Sequence, residues 1–208
     1  MKDLIARRAA KLLRPGTVVN LGIGSPTLVA KYVPPGQVVL HSENGLLGVG
    51  APPAPGEIDL NLIDAGKRPI TEQPGSAYFD SAQSFAMIRG GHVDATILGA
   101  LQVDEQGRIA NWAVPGEPVL GVGGAMDLLA GAREVIVVMS HTTREGAPKL
   151  VRACTLPLSS LRPASYVVTE LATFECAADG LRLIELADGV ALDEVARRTT
   201  ARFRIALA

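Results

Sequence analysis

One glutamate stands in a setting where a carboxylate could act as a nucleophile. Glu43 follows the apolar run Val38–Leu40 and precedes Asn44 and Gly45, two residue types that tolerate left-handed backbone angles and favour a turn. A charged side chain is costly to bury without a partner, so the flanking apolar residues predict that Glu43 is only partly enclosed. A carboxylate there could attack an activated acyl group and form a covalent intermediate. The residues alone leave open a loop glutamate that caps a helix or pairs with an arginine.

A second segment could stabilise the negative charge that such an attack creates. Gly121–Asp127 is rich in glycine and runs into a predicted short helix. Glycine lets the backbone approach a ligand closely, a helix N-terminus favours negative charge, and backbone N–H groups stabilise oxyanions. A tight turn into a helix, without a catalytic role, is the alternative.

Other catalytic patterns are incomplete. Gly22 and Gly24 follow a predicted strand, but the third glycine of a dinucleotide-binding loop is missing and Pro26 stands where the helix should open. We interpret this segment as a turn near the mouth of the site. Ser42 has no histidine and aspartate partners at the spacing of a serine hydrolase motif. Metal-ligand spacing is also missing from the histidines and cysteines, which predicts no metal site. These residues are His41, His92, His141, Cys154 and Cys176.

The composition is that of a globular protein close to electrical neutrality. Hydrophobic residues make up 48% and charged residues 20% of the 208 residues, which argues against disorder. Lysine plus arginine total 20, aspartate plus glutamate 21, and aromatics are 4%, a balance that disfavours nucleic-acid binding. No apolar run reaches the roughly 20 residues of a membrane span, and charges near the N-terminus disfavour a signal peptide. We therefore expect a cytoplasmic protein without a membrane or nucleic-acid partner.

Alternating helical and strand patterns predict an α/β fold. Predicted helices cover residues 4–13, 27–32, 81–89, 125–130 and 192–199; predicted strands cover 17–21, 38–40, 94–98, 109–112, 134–139, 166–169 and 181–186. Several strands are continuous apolar runs, as expected for parallel strands buried on both faces. No repeat or linker divides the chain, so we predict a single domain over residues 1–208 with a largely parallel, helix-covered sheet.

The segment Leu40–Gly48, with its Ser-Glu-Asn-Gly core, resembles the active-site signature of the family I coenzyme A transferases, and more narrowly the B subunits of the 3-oxoacid type. Other segments resemble the family in the same order along the chain, between about Thr17 and Phe203. They are Asn61–Lys67, Ser84–His92, Asp94–Ala100, Ala110–Trp112, Gly123–Asp127, His141–Thr142 and Cys154–Leu158. The resemblance covers nearly the whole chain and implies a CoA-transferase-like fold.

The resemblance implies roles for individual residues. Glu43 would be the nucleophile that attacks an acyl-CoA thioester and later carries CoA as a glutamyl-CoA thioester, and the Gly124 amide would be one oxyanion donor. The turn that holds the nucleophile would be shaped by Ser42, Asn44 and Gly45. Candidates for binding the substrate or CoA are Gly22, Gly24, Gly123, Arg89 and Lys67. The last two could hold a substrate carboxylate or a CoA phosphate, and structural salt bridges are their alternative.

The resemblance also implies a reaction and a partner. The chain would be a B subunit that moves CoA between succinyl-CoA or a short-chain acyl-CoA and a 3-oxo acid such as acetoacetate, by a ping-pong mechanism. Coenzyme A esters would be substrates, with no metal and no permanently bound cofactor. An A subunit is expected, in a heterodimer or an A2B2 heterotetramer. A 3-oxoadipate CoA-transferase, an acyl-CoA hydrolase and a non-catalytic regulatory subunit that binds CoA esters are alternatives, and the intact signature argues against the last.

Overall fold

The computed structural model describes residues 1–119 and 121–207, in which helices and strands alternate. The α-helices are α1 (Lys2–Ala10), α2 (Ser81–Arg89), α3 (Ala125–Gly131) and α4 (Leu192–Arg197), and a 3₁₀ helix covers Ser25–Tyr32. The strands are β1 (Val18–Leu21), β2 (Val39–Ser42), β3 (Leu46–Val49), β4 (Glu72–Tyr78), β5 (Ala95–Gly99), β6 (Gln102–Asp104), β7 (Ile109–Ala110), β8 (Glu134–Val138), β9 (Leu150–Val151), β10 (Tyr166–Val168), β11 (Ala172–Ala177), β12 (Gly180–Leu186) and β13 (Phe203–Ile205).

A ten-stranded sheet forms the centre of the fold, in the order β13-β12-β11-β10-β8-β5-β1-β2-β3-β4. The run from β10 through β8, β5 and β1 to β2 is parallel throughout. The flanks differ, because β3 and β4 on one side and β11 and β12 on the other are added by antiparallel pairing. The parallel core therefore carries the carboxyl ends of five strands on one edge.

Both faces of the parallel core are buried, because alternate residues enter two separate apolar clusters. In β8, Val135 and Val137 pack with residues of α2 and α3, whereas Ile136 and Val138 pack with residues of α1 and the 3₁₀ helix. This alternation explains why the residues of the strand that enter the two clusters form a continuous apolar run in the sequence. The prediction of an α/β fold with a largely parallel, helix-covered sheet is confirmed.

The antiparallel flanks are predicted only in part, since β12 matches the strand predicted over residues 181–186. Strands β3, β4 and β11 are among those not predicted: β3 is a four-residue strand that contains Gly48, and β4 and β11 are not continuous apolar runs. The residues of β4 are mostly exposed and include Pro74 and Gly75, which suit the edge of a sheet. The helix predicted over residues 27–32 is a 3₁₀ helix that begins at Ser25, with Pro26 in its first turn.

A smaller three-stranded sheet, in the order β7-β6-β9, follows β5 in the chain. The pairing of β6 with β9 joins distant segments, and the Val103 N–H donates to the Lys149 carbonyl at 2.9 Å. Lys149 is thereby held beside the residues that follow β5. Within the described part of the chain, no helix combines the length and the apolar character needed to span a membrane.

Candidate active site

The carboxyl ends of four parallel strands, β2, β1, β5 and β8, open into one cavity of about 470 Å³. Its lining includes Gly22 after β1, Glu43 after β2, Gly99 at the end of β5 and Met139 after β8. Ligands of open α/β sheets bind beyond this end of the strands. The cavity therefore lies where the fold favours a binding site, and the candidate nucleophile faces it.

Glu43 lies in the three-residue turn between β2 and β3, and its side chain is half-buried. Its Oε2 accepts a hydrogen bond from Asn20 Nδ2 at 2.9 Å. Asn20 is fully buried on β1, so the donor is fixed by the sheet. A carboxylate that accepts such a bond is oriented while its other oxygen stays available for chemistry.

A buried polar network stands behind this pair. Asn20 Nδ2 also lies 3.2 Å from His41 Nδ1 and 3.3 Å from the His41 carbonyl oxygen, and His41 Nε2 lies 3.1 Å from Ser84 Oγ. Burial lowers the pKa of His41 to about 4, so the ring is neutral at neutral pH. Because both ring nitrogens have neighbours within hydrogen-bond distance, His41 helps to orient Asn20.

The turn that carries Glu43 is tied to the segment that follows β3. Ser42 Oγ donates to Asn44 Oδ1 at 2.6 Å and accepts from the Ala65 N–H at 2.9 Å. Asn44 Nδ2 donates to the Ile63 carbonyl at 2.8 Å. These bonds fix the turn from outside, so the direction of the Glu43 side chain does not depend on the turn alone.

Gly45 closes the turn in a conformation that other residues rarely adopt. Its φ is 130°, its N–H donates to the Ser42 carbonyl at 3.0 Å, and a Cβ at this position would lie 2.1 Å from the Phe79 carbonyl oxygen. Glycine is therefore required here. All three residues that were predicted to shape the turn take part in it.

Gly124 lies directly beside Glu43. A Cβ added to Gly124 would lie 3.5 Å from Glu43 Cγ and 3.1 Å from Phe85 Cζ. Gly124 is the N-cap of α3, and its N–H donates no hydrogen bond to any residue that the structure describes. An N–H group in this position can serve a developing oxyanion.

Two of the five predicted binding residues line the cavity, and a third lies next to its lining in the chain. Gly22 and Gly123 line it. Gly24 is the N-cap of the 3₁₀ helix and stands between the lining residues Ile23 and Ser25. Gly22 and Gly123 thus form part of the wall of the cavity that Glu43 also lines.

The two predicted cationic anchors lie outside the cavity lining. Arg89, at the end of α2, forms an ion pair with Asp127 of α3 at 3.1 Å, and both side chains are partly exposed. Lys67 is exposed in a turn, with a φ of 60°. The ion pair of Arg89 is the structural alternative that the sequence left open, and the assignment of Lys67 stays a prediction.

Two residues at the site are missing from the sequence predictions. Asn20 interrupts the apolar strand Val18–Leu21, and an amide in a buried strand is a signal that could have identified it, because buried polar groups need partners. Lys149 lines the same cavity as Glu43. No local pattern separates it from a surface lysine, since the pairing of β6 with β9 brings it to the site.

His141, Cys154 and Cys176 are not part of the cavity lining. His141 is fully buried, with Nδ1 2.9 Å from Thr169 Oγ1 and Nε2 2.8 Å from Thr199 Oγ1, and burial lowers its pKa to about 4. Cys154 and Cys176 are free thiols whose pKa values burial raises to about 11 and about 12. In residues 1–119 and 121–207, no group of three or more His, Cys, Asp or Glu side chains could hold a metal ion.

Comparison with curated proteins identifies close relatives over the whole chain. The B subunit of the succinyl-CoA:3-ketoacid coenzyme A transferase of Helicobacter pylori strain 26695 is 49% identical over 207 residues, which is 100% of both chains. The beta subunit of the acetate CoA-transferase of Escherichia coli K12 is 51% identical over 99% of this chain and 94% of its own. The B subunit of the 3-oxoadipate CoA-transferase of Pseudomonas putida KT2440 is 49% identical over 92% of this chain and 90% of its own.

The fold comparison agrees with the sequence comparison. The crystal structure of an acyl-CoA transferase apoenzyme from Escherichia coli O157:H7 superposes with a TM-score of 0.77 at 24% identity, over 100% of this chain and 43% of that longer chain. At this identity the likeness shows the fold. The coenzyme A transferase family matches residues 2–198. With relatives near 50% identity over the full length and a turn that presents Glu43 beside Gly124, the chain belongs to the coenzyme A transferase family.

Proposed function

We propose that this chain is the B subunit of a 3-oxoacid CoA-transferase. It would move CoA between succinyl-CoA or a short-chain acyl-CoA and a 3-oxo acid such as acetoacetate, through a covalent glutamyl-CoA thioester on Glu43. The observation that carries the proposal is the Glu43 carboxylate, which faces the cavity with its Oε2 2.9 Å from Asn20 Nδ2 and its Cγ beside Gly124. The relatives whose names describe components of such enzymes support the same assignment.

The first half of the reaction needs a nucleophile and an oxyanion donor. A Glu43 carboxylate oxygen attacks the thioester carbonyl, the C–S bond breaks, and an acyl-glutamyl anhydride and CoA thiolate result. The Gly124 N–H would stabilise the tetrahedral oxygen. The thiolate then attacks the glutamyl carbonyl, which releases the first acid as a carboxylate and leaves the glutamyl-CoA thioester.

The second half reverses these steps with a different acid. Its carboxylate attacks the glutamyl-CoA thioester, CoA thiolate leaves, and thiolate attack on the new acyl group regenerates the Glu43 carboxylate. No net proton transfer is needed, which agrees with the neutral, hydrogen-bonded state of His41. Because the thioester is exchanged at each step, its free energy is retained and the kinetics should be ping-pong.

The proposal includes a partner, the A subunit of the enzyme. Relatives near 50% identity are named as B or beta subunits, and the resemblance implies that a second oxyanion donor comes from the A partner. We expect a heterodimer or an A2B2 heterotetramer with little activity in the isolated chain. We also propose a cytoplasmic location, since the free thiols Cys154 and Cys176 suit a reducing compartment.

A second substrate assignment has comparable support. The relative from the 3-oxoadipate CoA-transferase of Pseudomonas putida is also 49% identical, so identity does not separate acetoacetate from 3-oxoadipate as the acceptor. Ratios of kcat/KM for these two acids, measured with one donor, distinguish the two assignments.

The covalent mechanism is tested by intact mass spectrometry. The chain, purified with its A partner, is mixed with acetoacetyl-CoA in the absence of an acceptor acid. We expect a mass increase of one CoA moiety that maps to Glu43 and is absent in Glu43→Gln. A folded complex that binds CoA esters without forming this adduct would contradict the mechanism and favour the regulatory alternative. Turnover without an acceptor acid would instead indicate hydrolysis.

A further inference from the structure

The cavity that holds Glu43 is also lined by a lysine that the proposed mechanism does not use. Lys149 is half-buried, whereas Lys2, the other lysine of the lining, is exposed at the start of α1. No ion pair to Lys149 occurs among residues 1–119 and 121–207. Every fully buried side-chain nitrogen or oxygen in the same ranges has a hydrogen-bond partner. The Lys149 ammonium has no hydrogen-bond partner among these residues, so it is not fully buried. The cavity that Lys149 lines offers it access to solvent.

The surroundings of Lys149 favour an anionic ligand. Burial lowers the pKa of Lys149, and the charge of Glu170 opposes that shift. A half-buried ammonium without a contact partner is costly, and a carboxylate ligand would stabilise its charged form. The cavity wall is otherwise largely apolar side chains and glycine backbone, such as Leu98, Val138 and Gly123. A volume of about 470 Å³ suits a short acyl group.

Lys149 and Glu43 line the same cavity from segments that follow different strands of the sheet. The Lys149 N–H donates to the His141 carbonyl at 3.0 Å, and the Lys149 carbonyl accepts from Val103 at 2.9 Å, so this lysine is fixed to segments that follow β8 and β5. Glu43 follows β2. Because β8, β5, β1 and β2 are successive neighbours, three strand spacings separate the ends of β8 and β2 by about 14 Å. The two side chains therefore reach the cavity from separate strands, as contacts to the two ends of one short acyl chain require.

We propose that Lys149 binds the non-reacting carboxylate of a dicarboxylic acyl group, such as succinyl, while the other end of that group reacts at Glu43. The inference rests on the proposed function and adds a substrate class to it. Lys149 positions the acyl chain through a charge-assisted hydrogen bond and forms no covalent bond with it. The residue would thereby favour dicarboxylic over monocarboxylic acyl groups of similar length.

The test uses the complex of this chain with its A partner and compares two donors with one acceptor. Lys149→Met removes the charge and keeps most of the stem, Lys149→Arg keeps the charge, and Lys11→Met changes an exposed lysine after α1 as a matched control. We expect Lys149→Met to lower kcat/KM for succinyl-CoA about 10- to 100-fold, the effect of losing a hydrogen bond between charged groups. For butyryl-CoA the change should stay below about threefold. Lys149→Arg should retain most of the succinyl-CoA activity.

A second readout is the pH dependence of KM. In the unmodified complex, KM for succinyl-CoA should rise on the alkaline side as Lys149 loses its proton, and KM for butyryl-CoA should not. Lys149→Arg should remove the rise, because arginine stays protonated. Thermal unfolding of each variant shows whether any loss reflects folding.

An equal loss for both donors in folded Lys149→Met would overturn the inference, since it would assign Lys149 to the CoA moiety common to both. Unchanged activity with both donors would overturn it as well. These results are distinguishable from failure of the proposed function. If the unmodified complex forms no glutamyl-CoA adduct with either donor, the transferase proposal fails, whereas adducts with both donors and an equal loss refute only the role of Lys149.

Discussion

Replacement of Asn20 tests how the fold positions the candidate nucleophile. Asn20 Nδ2 donates to Glu43 Oε2 at 2.9 Å from a fully buried position on β1. Asn20→Ala removes this donor and leaves the carboxylate free to rotate. Asn20→Asp keeps the volume but sets a second carboxylate against Glu43, and like charges at hydrogen-bond distance repel.

The magnitude follows from the single hydrogen bond. A hydrogen bond to a charged group contributes about 1.5–3 kcal/mol, so its loss from the transition state should slow adduct formation about 10- to 150-fold in Asn20→Ala. Asn20→Asp should be slower still. Both variants also disturb the contact with buried His41, which should lower the free energy of unfolding by about 1–3 kcal/mol.

The assay is the single-turnover rate of glutamyl-CoA formation, followed by intact mass in the complex with the A partner. Denaturant unfolding of each variant reports its stability. Thr96→Val is the matched control, because Thr96 Oγ1 contacts Asn20 Oδ1 at 3.4 Å from a fully buried position without contacting Glu43. It should lower stability and leave the rate of adduct formation close to that of the unmodified protein.

Two results would refute the reasoning. If Asn20→Ala forms the adduct within about threefold of the unmodified rate, the hydrogen bond does not position Glu43. If Thr96→Val slows adduct formation as much as Asn20→Ala, the effect belongs to the stability of the buried network and not to the contact with Glu43.

Three further predictions concern the surroundings of the site. Gly124→Ala should reduce transferase activity more than stability, because its Cβ would lie 3.1 Å from Phe85 Cζ and project toward the candidate nucleophile. Adding Phe85→Leu should partly restore activity. No recovery in this double variant would show that the backbone itself has moved. Burial lowers the pKa values of His41 and His141 to about 4 from the ordinary value of 6.5, so the unfolded chain binds protons first as the pH falls. Above pH 6.5 the two histidines should therefore not reduce the free energy of unfolding. Toward pH 4 this free energy should fall by up to about 1.4 kcal/mol per pH unit for each histidine. A flat pH profile in denaturant titrations would contradict this. Arg162→Ala should lower the midpoint of thermal unfolding without changing KM, because the Arg162 guanidinium donates to four carbonyls at and after the end of α3. An unchanged midpoint would show that solvent replaces these hydrogen bonds.

Much of the fold follows from local patterns in the sequence. Residues 135–138 of β8 form a continuous apolar run because both faces of the strand are buried. The helix predicted over residues 81–89 matches α2 because its spacing is a local signal, and the structure adds Asp80 as its N-cap. The edge strand Glu72–Tyr78 is not predicted, because its mostly exposed residues form no continuous apolar run.

The residues of the candidate site also differ in whether local sequence patterns predict them. Glu43 and its turn are identifiable because adjacent residues encode both the carboxylate and the backbone angles of the turn. Arg89 resembles a substrate anchor by residue type, but its partner is Asp127, which reaches it through the packing of α2 against α3. A residue type indicates possible chemistry, and its contacts determine which chemistry is available.

The turn around Glu43, the apolar strands and the family follow from the sequence alone, because they depend on residues that are neighbours in the chain. The contacts and distances around Glu43 depend on the tertiary structure. Asn20, Gly124 and Lys149 belong to separate segments of the chain. Asn20 and Gly124 lie beside Glu43 and Lys149 lines the same cavity, because parallel strands present their carboxyl ends on one edge of the sheet. The order of those strands, and hence which side chains become neighbours, is set by packing over the whole chain rather than by any local pattern.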